Sequence, residues 1–421
     1  MTEKFVIVGK KKIEGEVFVS GSKNNAGPVI AATLLSKEPF VIENLPLVED
    51  IFKMLKLLES MGASVEWLGE KKVRINTEKV DPEKMDYSLV GQARVSVLLM
   101  GPLIYRFKKF KIPSPGGDKI GLRPISAHLE GFKKMGVRVL SNGAFYHFDG
   151  EKIKGGAEIV LSEFSVTATE NLMMLAAGLE GKTVIKMAAA EPHVQDLGKM
   201  LNDMGAKISG IEAHTIEIEG NSKLKGVNHE IIPDYLEAGT FFVLGAVTPG
   251  TLEIKNVILN HLDSFLEKME EIGVNFERGN NFLKVNFSEN LKPTKIQALP
   301  YPGFPTDLLP IAIPLLTQAQ GKSLIHDPLY ENRLNFIHEL RKMGADIEIV
   351  DPHRAFVFGK SPLSGIKISS LDIRAGASLI IASLMAEGES IIEDIFQIDR
   401  GYEKIDEKLR NLGADIKRIK V

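Results

Sequence analysis

The chain has 421 residues, 44% of them hydrophobic and 25% charged, with a formal net charge of -3 and no cysteine. That length exceeds what one hydrophobic core sustains, so two or more domains are expected. The near-neutral charge, without a long run of Lys and Arg, argues against a nucleic-acid partner, and the lack of cysteine excludes disulfides, thiolate metal sites and a cysteine nucleophile.

The opening MTEKFVIVGKKK holds no apolar stretch of signal-peptide length and reads as a strand beginning almost at once, so secretion is not expected. After it, one pattern recurs: an apolar helix, a tight turn and a strand, then an amphipathic helix closing on Met-Gly-Ala or a variant, and short charged strands. Copy one opens at Lys23-Asn24-Asn25, runs through AATLLSKEPFVIENLP and ends in ESMGASVEWL, where the sole tryptophan, Trp67, is expected to be a partly buried strand residue. Copy two opens at Gln92-Ala93-Arg94, continues through GPLIYRFKKFKIPSP, and places a second helix at Arg123-Pro124 that ends in KKMGVRVLSN. Copy three opens at Ser165-Val166-Thr167, followed by MLAAGLEGKTVIKMAAAEP and NDMGAKISGI. Copy four opens at Asp234-Tyr235, with FVLGAVTPGTLEIKNV and EEIGVNFERG. Copy five opens at Thr306-Asp307, with IAIPLLTQAQGKSLIHDP, a second helix at Glu331-Asn332-Arg333, and RKMGADIEIV. Copy six opens at Asp372-Ile373-Arg374, with LIIASLMAEGESIIEDI, a second helix at Asp399-Arg400, and RNLGADIKRI.

The glycines ending the second helices, Gly62, Gly136, Gly205, Gly273, Gly344 and Gly413, lie 74, 69, 68, 71 and 69 residues apart. A glycine there suits a helix end that must turn left-handed. Helix-bearing crossovers favour mixed sheets with helices packed on them, and six copies divide into two domains of three. Crossings near Ser20 to Ser22 and near Glu230 to Pro233 make residues 22–231 the first domain and residues 1–21 with 232–421 the second. The most apolar segments, AGTFFVLGAV and SLIIASLMA, are about half of the ~20 residues that a membrane span needs, so they read as buried helices and no membrane insertion is expected. A cytoplasmic location follows by elimination.

Gly181-Lys182-Thr183 and Gly321-Lys322-Ser323 imitate the end of a phosphate-binding P-loop. Both lack the earlier glycine, having Ala176 and Leu316 there, and both fall on a helix-to-strand turn where a P-loop needs strand-to-helix. No HExxH or paired histidine spacing occurs, so no metal is expected, and His128 and His338 read as packed or capping residues.

Helix N-termini present free N–H groups and a partial positive charge that suit phosphate and carboxylate ligands. Lys23, Arg94, Arg123, Arg333, Arg374 and Arg400 at such ends would make a cationic pocket, and arginine is otherwise unfavourable beside the positive end of the dipole. The segment from Pro113 to Pro124, with Gly116, Gly117 and Gly121 around Asp118, has the composition of a loop able to close over a ligand.

The motifs SGSKNNAGPVIAATLL, PGGDKIGLRP, SVTATEN, IIPDYLEAGT, PGFPTDLLP, YENRLNFIHELRKMGA, LDIRAGASL and IDRGYEKIDEKLRNLGA together resemble the enolpyruvyl transferase family, in the family's order and over nearly the full length. The resemblance implies an α/β fold of two inside-out barrel domains, each of three helix/strand repeats with helices at the centre. It implies phosphoenolpyruvate and UDP-N-acetylglucosamine as small-molecule substrates, no cofactor and no obligate protein partner; the sister enzymes acting on shikimate 3-phosphate differ at the first lysine and in the glycine loop. Carried over by position, Lys23, Arg123 and Arg400 hold the phosphate and carboxylate of phosphoenolpyruvate, and Asn24 and Arg94 order the site. Ser165, Val166, Thr167 and Leu329 line the nucleotide site. Asp307 is the base for the sugar hydroxyl, with Glu331, Arg333, Asp234, Asp372 and Arg374 in support. Asp118 stands where most members carry a cysteine. A carboxyl whose pKa is raised by burial or neighbours can serve as the acid, but it is a poor nucleophile toward an epoxide, so insensitivity to the epoxide antibiotic fosfomycin is expected. Glu163, Thr167 and Ser126 also depart from the residues frequent in the family, which bears on the nucleotide contacts and not on the reaction. A six-repeat ring without chemistry, such as a clamp, would instead show a broadly positive surface and no focused acid–base pair.

Overall fold

The computed structural model describes residues 3–117 and 120–420, and these form two compact units. The described residues within Gly21–Gly117 and Arg123–Ile232 make the unit that carries Lys23; those within Met1–Ser20, Asp118–Leu122 and Pro233–Val421 make the unit that carries Asp307.

The Lys23 unit has three sheets. The first orders Asn228–Glu230, Phe40–Glu43, Lys72–Asn76 and Ser64–Gly69; the second, Lys109–Pro113, Phe145–Asp149 and Arg138–Ser141; the third, Lys207–Ser209, Thr215–Glu219, Lys182–Lys186 and Glu158–Val160. Glu158–Val160 and Lys182–Lys186 pair in parallel and flank the helix Val166–Ala177, the crossover that a parallel pair requires. Strands such as Phe40–Glu43 alternate buried and half-buried residues, because one face packs on helices. The helices Lys23–Ala32 and Val166–Ala177 bury nearly every residue, while Glu49–Ser60 and Pro192–Asp203 bury one stripe.

In the Asp307 unit three four-stranded sheets accompany three helices, Tyr235–Val247, Leu309–Leu316 and Ile373–Met385, whose residues are all buried. Lacking a polar face, such helices cannot lie at a surface. They contain the segment AGTFFVLGAV and all but the last residue of SLIIASLMA, and no helix among the described residues is long and apolar enough to cross a membrane. The strands Lys295–Gln297 and Gly321–His326, and again Lys367–Ser369 and Glu389–Glu393, are parallel pairs around the second and third of these helices. The first of the three has no such pair from its own copy: Thr251–Lys255 takes Gly15–Phe18 as its parallel partner, and Asn228–Glu230 pairs instead with Phe40–Glu43 in the other unit's own sheet. The opening strand Glu3–Val8 lies between Glu389–Glu393 and Asp415–Lys420. Where this chain end leaves the unit, Lys408 Nζ donates to Phe18 O, Ser20 Oγ and Glu237 Oε1 at 3.1, 2.7 and 2.6 Å, and Ser20 N donates to Glu237 Oε2 at 2.6 Å.

All six glycines of the seventy-residue repeat have positive φ, from 86° to 116°, as a left-handed helix end requires. The two P-loop imitations lie at the starts of the strands Lys182–Lys186 and Gly321–His326, so no helix N-terminus faces a phosphate there. Trp67, expected to be partly buried, is 43% exposed in its strand, with its ring 6.4 Å from that of Phe52.

Several expected helix starts differ. Arg94 and Thr306 open 3-10 helices, Arg94–Leu99 and Thr306–Leu308, ahead of the α-helices Met100–Phe107 and Leu309–Leu316. Pro102 and Pro310 have no N–H to give the carbonyls of Leu98 and Thr306, so each chain tightens, and Leu309 N bonds to Thr306 O instead. Arg123-Pro124 precede the helix Ser126–Lys134, and Glu331-Asn332-Arg333 lie in turns ahead of Ile337–Lys342. Asp399 ends a four-residue helix, Phe396–Asp399, and Arg400 is its C-cap, the end where a cation is favoured.

Candidate active site

In the Lys23 unit, Ser22 caps the helix Lys23–Ala32, its hydroxyl accepting from Asn25 N at 3.4 Å. Lys23, in the first turn, has its charge offset by the buried Asp50 at 3.4 Å. Asn25 lies fully buried and donates to His193 O at 3.5 Å while its Oδ1 accepts from Ile232 N at 3.2 Å, leaving the neighbouring Asn24 half-buried. Arg94 and Arg123 meet at Gly117: a Cβ there would lie 2.8 Å from Arg94 Cβ and 3.3 Å from an Arg123 guanidinium nitrogen, and φ is +133°. Only glycine admits the main chain so close to both cations.

Ser165, Val166 and Thr167 are half-buried at the start of the helix Val166–Ala177, and Ser165 makes no capping bond with its side chain. The Thr167 hydroxyl is 3.0 Å from His128 Nε2. His128 is 1% exposed; burial, with the positive charge of Arg94 adding, pushes its pKa from 6.5 down to about 3. Since the folded value is depressed, the contribution of a neutral His128 to stability is whole above pH ~6.5 and is lost as pH falls toward ~3. His128→Gln, which does not titrate, is expected to flatten the unfolding free energy against pH across that interval, as measured by denaturant titration; an unchanged slope would show that His128 does not carry it.

In the Asp307 unit both oxygens of Asp307 are held. Arg333 donates to Oδ1 at 2.8 Å and Arg374 to Oδ2 at 3.2 Å, with both arginines almost wholly buried and Asp307 28% exposed. Two donors on two oxygens fix the orientation of the carboxylate. Burial pulls the Arg333 guanidinium down, but Asp307, Asp372 and Asp327 together hold it above its usual range. Burial acts likewise on Arg374, outweighed by Tyr402, Asp307 and Asp234. Arg374 also lies 5.4 Å over the Tyr402 ring, whose hydroxyl is 2.8 Å from that of Thr240.

Asp234 and Asp372 are caps. The first accepts from Leu236 N and Glu237 N at 2.8 and 3.4 Å, the second from Arg374 N and Ala375 N at 2.9 and 3.0 Å. Burial raises the Asp234 carboxyl, with Glu237 adding and Arg374 opposing. Glu331 accepts from Leu122 N at 2.6 Å, and Asn332 N donates to Ile120 O at 3.0 Å, so this turn holds the described end of the glycine loop. A side chain at Gly121 would strike the Glu331 carboxylate, at 2.3 Å. Leu329 is half-exposed on the same segment, and Arg400 Nη1 donates to Gln397 Oε1 at 2.8 Å. Asp118 lies outside the described residues.

Asp50, Asp327 and Tyr402 belong to these clusters and had not been singled out. Asp50 was visible as an acidic residue in a helix first turn, and Asp327 as the start of an Asp-Pro turn; nothing local marks Tyr402. Among the described residues no group of three or more His, Asp or Glu is arranged to hold a metal ion.

The sequence model of the family described as EPSP synthase (3-phosphoshikimate 1-carboxyvinyltransferase) matches residues 7–409. A UDP-N-acetylglucosamine 1-carboxyvinyltransferase 1 of Carboxydothermus hydrogenoformans is 45% identical over 420 residues, 99% of this chain and 98% of that protein. The UDP-N-acetylglucosamine 1-carboxyvinyltransferase of Koribacter versatilis is 44% identical over 422 residues, 99% of this chain and 96% of that one. Among solved structures, the enolpyruvyl transferase NikO from Streptomyces tendae aligns with a TM-score of 0.91 at 22% identity, covering 100% of this chain and 99% of that one. EPSP synthase from Acinetobacter baumannii aligns with a TM-score of 0.75 at 20% identity, covering both chains fully. At those identities the two structures speak for a shared mixed α/β fold alone.

Proposed function

This chain belongs to the EPSP synthase family of carboxyvinyl transferases, and from that premise we propose that it transfers the enolpyruvyl group of phosphoenolpyruvate to the 3-hydroxyl of UDP-N-acetylglucosamine, releasing phosphate. That is the first committed step of peptidoglycan precursor synthesis. The observation that carries the choice of acceptor is the 45% identity, over 99% of the chain, to a protein named for UDP-N-acetylglucosamine. In this reading each unit is an inside-out barrel of three repeats, and the enzyme works in the cytoplasm.

The chemistry is addition followed by elimination. Asp307 takes the proton of the sugar hydroxyl as its oxygen bonds to C2 of the enol, and Asp118 protonates the methylene carbon to a methyl group. The tetrahedral adduct then loses a methyl proton and the C2–O bond to phosphate, which re-forms the double bond and leaves an enol ether plus inorganic phosphate. Lys23, Arg123 and Arg400 hold the phosphate and carboxylate, with Asn24 and Arg94 ordering them; the charge to be stabilised is anionic throughout, which suits preorganised cations. The adjacency of Arg94 and Arg123 at Gly117 supports that role. The Ser165 hydroxyl, not spent on its own helix, is available with Val166, Thr167 and Leu329 to line the nucleotide. Arg333, Arg374, Asp234, Asp372 and Glu331 hold the base and the loop. Proton transfer and a cationic cage complete this route without a cofactor.

Phosphate release from phosphoenolpyruvate should appear with UDP-N-acetylglucosamine and not with shikimate 3-phosphate. Release only with the second acceptor would transfer the chain to the sister activity, and release with neither would remove the enzymatic reading.

A further inference from the structure

We infer that Asp327, with Thr306 as its partner, is the positioning residue that holds the turn bearing Asp307 in register with the loop bearing Leu329. Asp327 follows the strand Gly321–His326 and is 0% exposed. Its main chain is clamped from both sides by His353: Asp327 N donates to His353 O at 2.8 Å, and the imidazole Nδ1 lies 2.7 Å from Asp327 O.

From that fixed point the carboxylate reaches two segments. Oδ2 accepts from the Thr306 hydroxyl at 2.6 Å, one residue before Asp307. Oδ1 accepts from Leu329 N and Tyr330 N at 2.8 and 3.2 Å. The same Oδ2 is 3.8 Å from Arg333 Nε, while Arg333 Nη2 holds Asp307 at 2.8 Å. A buried carboxylate needs several donors to be tolerated, and here the donors come from the two segments given the base and the nucleotide contact.

The Thr306 turn has particular need of such a tether. It is a three-residue 3-10 helix that runs directly into the α-helix Leu309–Leu316, whose Pro310 cannot donate to the Thr306 carbonyl, so that carbonyl takes only the shorter-range bond from Leu309 N. The hydroxyl bond to Asp327 supplies the constraint that the helix does not. Asp327 touches neither substrate in this reading; it acts through Asp307, Arg333 and Leu329, and the inference therefore rests on the function proposed above.

The test compares Asp327→Asn, Thr306→Val and Thr306→Ser with the unaltered enzyme in steady-state turnover, with the folded fraction and thermal midpoint measured on the same samples. Misplacing a reacting group by about 1 Å costs on the order of 100-fold. Asp327→Asn and Thr306→Val are thus expected to lower kcat per folded enzyme by about 10- to 100-fold, with KM for phosphoenolpyruvate within about twofold. Thr306→Ser, which keeps the hydroxyl, should recover most of what Thr306→Val loses. Unchanged kcat per folded enzyme in Thr306→Val, or a loss matching only the unfolded fraction, would overturn the inference, and this variant decides it even if Asp327→Asn does not fold. Asp307→Ala is run alongside: if it turns over normally, the assignment of the base has failed; if it is inactive while Thr306→Val is normal, only the tether has failed.

Discussion

Asp307→Ala is expected to lower turnover by about a thousandfold, within the 10²–10⁴ range typical of removing a general base. The mutation also strips Arg333 and Arg374 of the carboxylate that both of them share, which leaves two buried guanidiniums with less compensating negative charge and destabilises the fold. Loss of activity in the alanine variant alone could therefore reflect loss of structure. Asp307→Asn keeps the shape and one accepting oxygen for a guanidinium while giving up basicity and charge, and its amide nitrogen faces the other guanidinium, so it too should be less stable. Both variants should lose turnover, read as phosphate release per folded enzyme with the folded fraction measured on the same samples. Near-native phosphate release by a folded Asp307→Asn would take the proton transfer away from this residue.

The second large effect concerns fosfomycin. A cysteine thiolate opens an epoxide readily, whereas a carboxylate is a much poorer nucleophile; the resemblance implies that Asp118 stands where most members carry a cysteine, and the chain has no cysteine. Incubation of the enzyme with fosfomycin and UDP-N-acetylglucosamine should leave activity undiminished over hours. Asp118→Cys should introduce time-dependent loss of activity, with a mass increase equal to that of the inhibitor on the single thiol. Covalent, time-dependent inactivation of the unaltered enzyme would refute the expectation, and a resistant but active Asp118→Cys would show that the thiol alone does not confer sensitivity.

Much of the local structure was legible because its causes are local. The seventy-residue repeat followed from six glycines, and each has the positive φ that its place after a helix predicted. The apolar helices were legible from the absence of a polar face, and the false P-loops from the order of strand and helix around them. Where helix starts were misplaced, the cause was also local but weaker: Pro310 and Pro102 shift the first turn to 3-10 geometry, and Arg400 sits at the C-terminal end of a helix too short to be read from periodicity.

The partnerships of the charged residues were not legible. That Arg333 and Arg374 hold opposite oxygens of Asp307, that Asp327 reaches both Thr306 and Leu329, and that Arg94 and Arg123 meet across Gly117 join residues from 2 to 67 positions apart. Sequence by itself determined the repeat, the family and the types of groups available, because patterning, turn chemistry and motif order act over a few residues at a time. Only the tertiary structure decided which cation faces which carboxylate and which hydroxyls are already engaged, because Coulomb and hydrogen-bond energies depend on separations of a few ångströms that the spacing of residues along a chain does not fix.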